Sequence, residues 1–160
     1  MTEIVPSTRR RVRNNTAAQI NERIDNQIER NVLYFSTHRA DIGNRLTELD
    51  REWDIERVIQ ANAAALALFG TLSGARGSRR PMLLPLLVTG FLLQHAIQGW
   101  CPPVPILRRL GFRTADEINR ERYALKAICG DFDEVADMRS PTSTADAAIE
   151  AVDEPGRTWN

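Results

Sequence analysis

Among the 160 residues, Cys101 has the clearest capacity for chemistry, because Pro102 and Pro103 follow the thiol and hold its backbone nearly fixed. A thiolate is the reactive form, and it needs a local positive field, for which Arg57 and Arg108 are the candidates. The alternative is an inert cysteine that only packs. Gln94, His95 and Gln98 lie on one apolar stretch, and Gln60 and Asn62 lie on another. If the two stretches run antiparallel, these five polar side chains converge, either as a ligand or proton site or as hydrogen bonds between helices. Cys129 falls on an amphipathic stretch and reads as packing. The two cysteines and two histidines, His38 and His95, match neither zinc-finger nor CxxC spacing, so no metal and no cofactor is expected. No Ser-His-Asp set, phosphate-binding glycine loop or metal-spaced carboxylate pair stands out, and the expectation is a protein that is not an enzyme.

The charge balance narrows the partners. Twenty-one basic residues meet 21 acidic ones, which argues against a nucleic-acid binder held by phosphate neutralisation. The charges are unevenly spread. Residues 1–13 carry Arg9, Arg10, Arg11 and Arg13 against Glu3 with no apolar run behind them, so they read as a disordered basic arm rather than a secretory signal. Residues 131–160 hold eight acids and two bases among Ser, Thr, Pro and Ala. Such a segment buries too little apolar area to offset its ordering entropy and is expected to be a disordered acidic tail.

Between these ends the hydrophobic period is helical, without alternating β-branched runs, and the class is all-α. Residues 14–52 read as amphipathic helices: Ile20, Ile24, Ile28, Val32 and Phe35 form one stripe, and Ile42, Leu46, Leu49 and Trp53 a second. Thr16-Ala17-Ala18-Gln19 has capping-box spacing ahead of the first. Residues 112–130 repeat the pattern, with Thr114-Ala115-Asp116-Glu117 as a second capping box, Ile118, Leu125 and Ile128 as the stripe and Gly130 as the stop. The mixed charge of the polar faces favours helix packing, so a protein partner or self-association through these amphipathic helices is expected.

Residues 53–111 carry a different signal. Arg57 and Arg76 enclose 18 uncharged residues, and Arg80 and Arg108 enclose 27. At 1.5 Å per residue the shorter run reaches roughly 27 Å, close to a hydrocarbon core of about 30 Å. The gaps therefore predict a two-span antiparallel transmembrane hairpin with the lipid bilayer as a partner. Arg76, Arg79 and Arg80 anchor its turn, and Trp53 and Trp100 share the opposite interface. Ala63, Ala67, Gly70 and Gly74, at steps of four, three and four, supply a small-residue face for close helix approach.

Trp53-Asp54-Ile55-Glu56-Arg57, the small-residue helix with Gly70, a short turn, a second apolar helix and the closing Gly99-Trp100-Cys101-Pro102 together resemble the YgaP-like transmembrane domain. That bacterial inner-membrane family is a two-helix hairpin of uncharacterised function, and the resemblance covers residues 53–111. It implies placement in the bacterial inner membrane. Some relatives join the hairpin to a rhodanese, which implies a link to sulfur chemistry; this chain has no room for a rhodanese fold. With arginine excess on the terminal side, both termini are expected in the cytoplasm. The leading expectation is thus an integral inner-membrane structural or interaction module. An accessory in sulfur or redox relay through Cys101 is the alternative, and a soluble helical dimerisation protein is a third.

Overall fold

A computed structural model describes residues 8–75, 83–133 and 149, and among these there are only helices and turns, no strand. Seven α-helices follow in order: α1 Thr8–Asn14, α2 Ala18–Thr37, α3 Ile42–Arg51, α4 Ile55–Gly74, α5 Leu83–Gln98, α6 Val104–Arg109 and α7 Ala115–Cys129. A 3-10 turn, Arg39–Asp41, separates α2 from α3. The all-α class is therefore observed. The chain divides into two compact units, one of Met1–Ile24 with Trp53–Asp116 and one of Asp25–Glu52 with Glu117–Asn160.

The first unit is the hairpin unit. Asp54 opens α4 by accepting the Arg57 backbone N–H at 2.8 Å, and the Ile55 N–H finds the Arg113 carbonyl at 2.9 Å. These bonds satisfy two of the donors that every helix start leaves without an intrahelical partner. Along α4, Ile55, Ile59, Ala63, Ala67, Gly70 and Gly74 are buried or half-buried at helical spacing on one face. The small-residue face does serve close approach: a Cβ on Gly70 would stand 2.6 Å from Pro85 Cδ. The α5 helix ends where Gly99 turns to φ +69°, a left-handed conformation that glycine adopts without steric cost. Val12, Ile55, Ile59, Cys101 and Val104 form the core, with Leu92, Leu107 and Phe112 against it.

Val12 belongs to a helix that residues 1–13 were not expected to form. Thr8–Asn14 is helical, and Val12 is fully buried. One apolar residue among four arginines has no readable period, which is why the segment looks like a flexible arm in sequence. The Thr16 hydroxyl also departs from expectation. It donates to the Val12 carbonyl at 2.7 Å and so finishes α1 rather than beginning α2.

The transmembrane reading is overturned. Among the described residues no helix is long and apolar enough to cross a membrane. The α4 helix has 20 residues, but Glu56, Arg57, Gln60 and Asn62 occupy its first two turns. The α5 helix is apolar, but it is described over 16 residues, roughly 24 Å at 1.5 Å per residue against a core of about 30 Å. The 27-residue uncharged run measures distance between charges, not helix: it includes the stop at Gly99, and Pro102, Pro103 and Pro105 beyond it. The two-span hairpin in lipid, the lipid bilayer as partner, and inner-membrane placement with cytoplasmic termini are corrected on this ground. Arg76, Arg79 and Arg80, like residues 134–148 and 150–160 of the acidic tail, lie outside the described residues.

The second unit is built the opposite way. Ile42, Leu46 and Leu49 of α3 meet Ile118, Leu125 and Cys129 of α7, and Val32, Phe35 and Ile128 pack against them. Each fully buried Leu or Ile contributes about 1.5–3 kcal/mol. Gly130 at φ +81° stops α7 where the spacing predicted. Charged side chains surround and enter this core. Glu121 of α7 is wholly buried and accepts from Arg45 Nε at 2.9 Å and from Asn31 Nδ2 at 3.0 Å. Arg122 bonds the Leu49 carbonyl at 3.2 Å and the Asp50 carboxylate at 2.8 Å.

Candidate functional site

The residues singled out for chemistry belong to the hairpin unit. Cys101 follows the turn at Gly99, and the start of α6 packs over it. Cys101 is 2% exposed, which favours the packing alternative over a reactive thiolate. Desolvation pushes its pKa above the ordinary thiol value, and the Val104 N–H offsets part of that rise. The arginines expected to help do other work. The Arg57 guanidinium lies over the Trp53 ring, 4.5 Å from its centroid. Arg108, fully buried, donates to Asn21 Oδ1 at 2.9 Å and to the Phe112 carbonyl at 3.1 Å. A neutral, covered thiol is a poor nucleophile.

The five polar residues are not joined by hydrogen bonds. Asn62 donates back to the Val58 carbonyl of its own helix at 2.9 Å, and Gln60 is exposed. The Gln98 side chain is exposed, while its carbonyl accepts from Asn15 at 3.2 Å. Gln94 is half-buried. His95 stands apart: it is 5% exposed, and neither ring nitrogen has a hydrogen-bond partner. Desolvation first, and the Arg11 charge second, lower its pKa and hold the imidazole neutral. Arg11 also donates to the neighbouring Ala96 carbonyl at 3.0 Å, tying α1 to the end of α5. Among the described residues no group of three or more His, Cys, Asp and Glu gathers as a metal site.

An apolar cavity of about 370 Å³ opens beside Cys101, bounded by Ile59, Ala63, Val88, Leu92, Pro103 and Leu107. Asn62 is the one amide on its wall, and that amide already bonds within α4. The cavity can shelter apolar groups, but it presents no charge to orient a substrate.

The outer surface of the same hairpin is what sequence reasoning missed. Leu66, Leu68, Phe69 and Leu72 on α4 are exposed, as are Leu83, Leu86, Leu87, Phe91, Leu93 and Ile97 on α5. Trp53 and Trp100 are partly exposed as well. In the second half of α4 the small Ala67, Gly70 and Gly74 face inward while Leu68, Phe69 and Leu72 face outward. The available signal was α5 itself, apolar all round, since such a helix requires cover on every side.

No family model, curated protein or solved structure matches this chain.

Proposed function

We propose that this protein is a helical self-association module in which two copies meet through the apolar outer face of the hairpin. One observation carries the reading: ten large apolar side chains of α4 and α5 stand exposed on a single unit. The five on α5 that do not line the cavity, Leu83, Leu86, Leu87, Leu93 and Ile97, expose roughly 100 Å² each, on the order of 500 Å² together, the size of the largest and often functional apolar patch on a typical monomer. A stable interface takes ~800 Å² from each partner, so such a patch can form its centre. The amphipathic helices first expected to mediate association are engaged elsewhere, since α3 and α7 bury their stripes against each other.

Sedimentation of the full chain without detergent, across a concentration series, tests the reading. The expected species has twice the 18.1 kDa chain mass. Joint Leu86→Gln and Leu93→Gln substitution should shift it to monomer with unchanged helix content. A wild-type monomer at all concentrations, or a protein recovered only with bound detergent or lipid, would overturn it.

A further inference from the structure

The α5 helix has two faces that differ in what covers them. Leu84, Val88, Leu92 and His95, at steps of four, four and three, are half-buried or buried within the unit. On the other side Leu83, Leu86, Gly90, Leu93 and Ile97 recur at steps of three, four, three and four, and all five are exposed. Alternating three and four is the spacing of a helix seam that meets another helix along its length. The described helix carries no Asp, Glu, Lys or Arg, so the seam offers no charge for a complementary partner to read. An uncharged seam of this period fits another like itself.

Gly90 lies at the middle of that seam and differs from Gly70 in a telling way. At Gly70 an added Cβ would run into the Pro85 ring, which accounts for the glycine within the chain. At Gly90 an added Cβ would meet nothing within 4 Å. Mid-helix glycine weakens a helix, and here nothing in the described chain requires it. A glycine on an apolar helix face lets a second helix come close. In a two-fold dimer the same residue faces its own copy at the axis.

We infer that the second copy docks on α5 and that the two α5 helices cross at Gly90, with Leu86 and Leu93 of each helix flanking the crossing. This rests on the self-association reading and names the face and the point of closest approach. The outward side chains of α4, Phe69 and Leu72, then stay outside the crossing.

Cysteine cross-linking of the full chain tests the crossing. The native Cys101 and Cys129 are both buried, so the unsubstituted protein is the background control. A disulfide needs Cα atoms about 4.4–6.8 Å apart, a separation that only residues close to the axis reach. Under mild oxidation the Gly90→Cys protein should form covalent dimers at least tenfold faster than Thr89→Cys, which lies off the seam, or Phe69→Cys on α4. Gly90→Leu should raise the dimer dissociation constant at least tenfold while leaving helix content unchanged, because the monomer has open space there. If the chain is dimeric but Phe69→Cys or Thr89→Cys cross-links faster, or Gly90→Leu dimerises as well as wild type, the crossing is overturned and self-association survives. Monomers at every concentration overturn both.

Discussion

The two units solve opposite packing problems with similar helices. In the unit built from α3, α7 and part of α2, large apolar side chains point inward and charged ones pair around them, with Glu121 carried into the interior by Arg45 and Asn31. In the hairpin unit, Gly70 and its small neighbours face inward while ten large apolar side chains of α4 and α5 are exposed. The difference teaches where information about a partner resides. A unit that spends most of its large apolar residues on its own core, with Leu33 and Tyr34 left outside, says little about what it meets, whereas one that turns ten outward needs cover.

The contrast can be broken first at Glu121. Removing one member of a buried ion pair costs about 3–5 kcal/mol, because the other charge stays behind in a poorly solvated place. Arg45 keeps its pair with Glu48 at 2.9 Å, so Glu121→Ala should lower stability toward the bottom of that range, by about 3 kcal/mol, in urea titration. Glu121→Gln, which keeps an acceptor for Asn31, should lose less. Equal losses would mean that shape rather than charge holds the site.

A smaller effect is expected in the hairpin unit from Gly70→Ala. Its Cβ would meet Pro85 Cδ at 2.6 Å and Leu84 Cβ at 3.2 Å, and the first contact is with a ring fixed to the backbone. Overpacking of this kind costs about 1–3 kcal/mol, against about 0.5–1 kcal/mol gained from better helix propensity. The net loss should show as faster amide exchange in α4 and α5, with α3 and α7 unchanged. Uniform acceleration in all four helices would erase the distinction between the units.

Acid should act on the hairpin unit through His95. The unfolded chain protonates this imidazole near its ordinary value of 6.5, while the folded chain, by desolvation and then Arg11, does so only at lower pH. Below about pH 6.5 the unfolded state binds more protons, so stability falls as pH falls, and the loss levels off below the folded value. Above that range His95 contributes no pH dependence. Comparing wild type with His95→Gln between pH 7.5 and 5.5 isolates the effect, and parallel profiles would refute it. The smallest change belongs to the surface of the other unit. Arg120 lies 3.0 Å from Asp25 and 3.8 Å from Glu29, but it is more than half exposed, so Arg120→Ala should cost about 0–1 kcal/mol. A thermal melt suffices to check it.

Periodicity made the core of the charged unit legible: Ile28, Ile42, Leu46, Leu49, Ile118 and Leu125 were all on apolar stripes, and Gly130 was readable as a stop. It also marked Gly70 as a site of close helix approach. It could not show that Glu121 and Arg108 are buried. Each carries a charge like any solvent-facing neighbour, and its partners lie far away in sequence, Asn31 and Arg45 for the first, Asn21 for the second. The hairpin was misread because spacing between charges was taken as helix length, although Gly99 and the prolines divide that span. The candidate site was legible in its residue types and not in its geometry. Cys101 is buried in one core cluster with Val12, Ile55, Ile59 and Val104, and its exposed sequence neighbours Trp100, Pro102 and Pro103 give no sign of that.

The bonds on Glu121 also set an order of assembly. They reach back 90 residues to Asn31 and 76 to Arg45. Contacts of such separation are slow to form, since the loop must close before any of them rewards the closure. During synthesis Ile42, Leu46 and Leu49 of α3 leave the ribosome while α7 is still unmade. At 5–20 residues per second, that interval is on the order of ten seconds. For that time the nascent chain displays an apolar stripe that the finished protein hides, and α7 arrives as the piece that closes it.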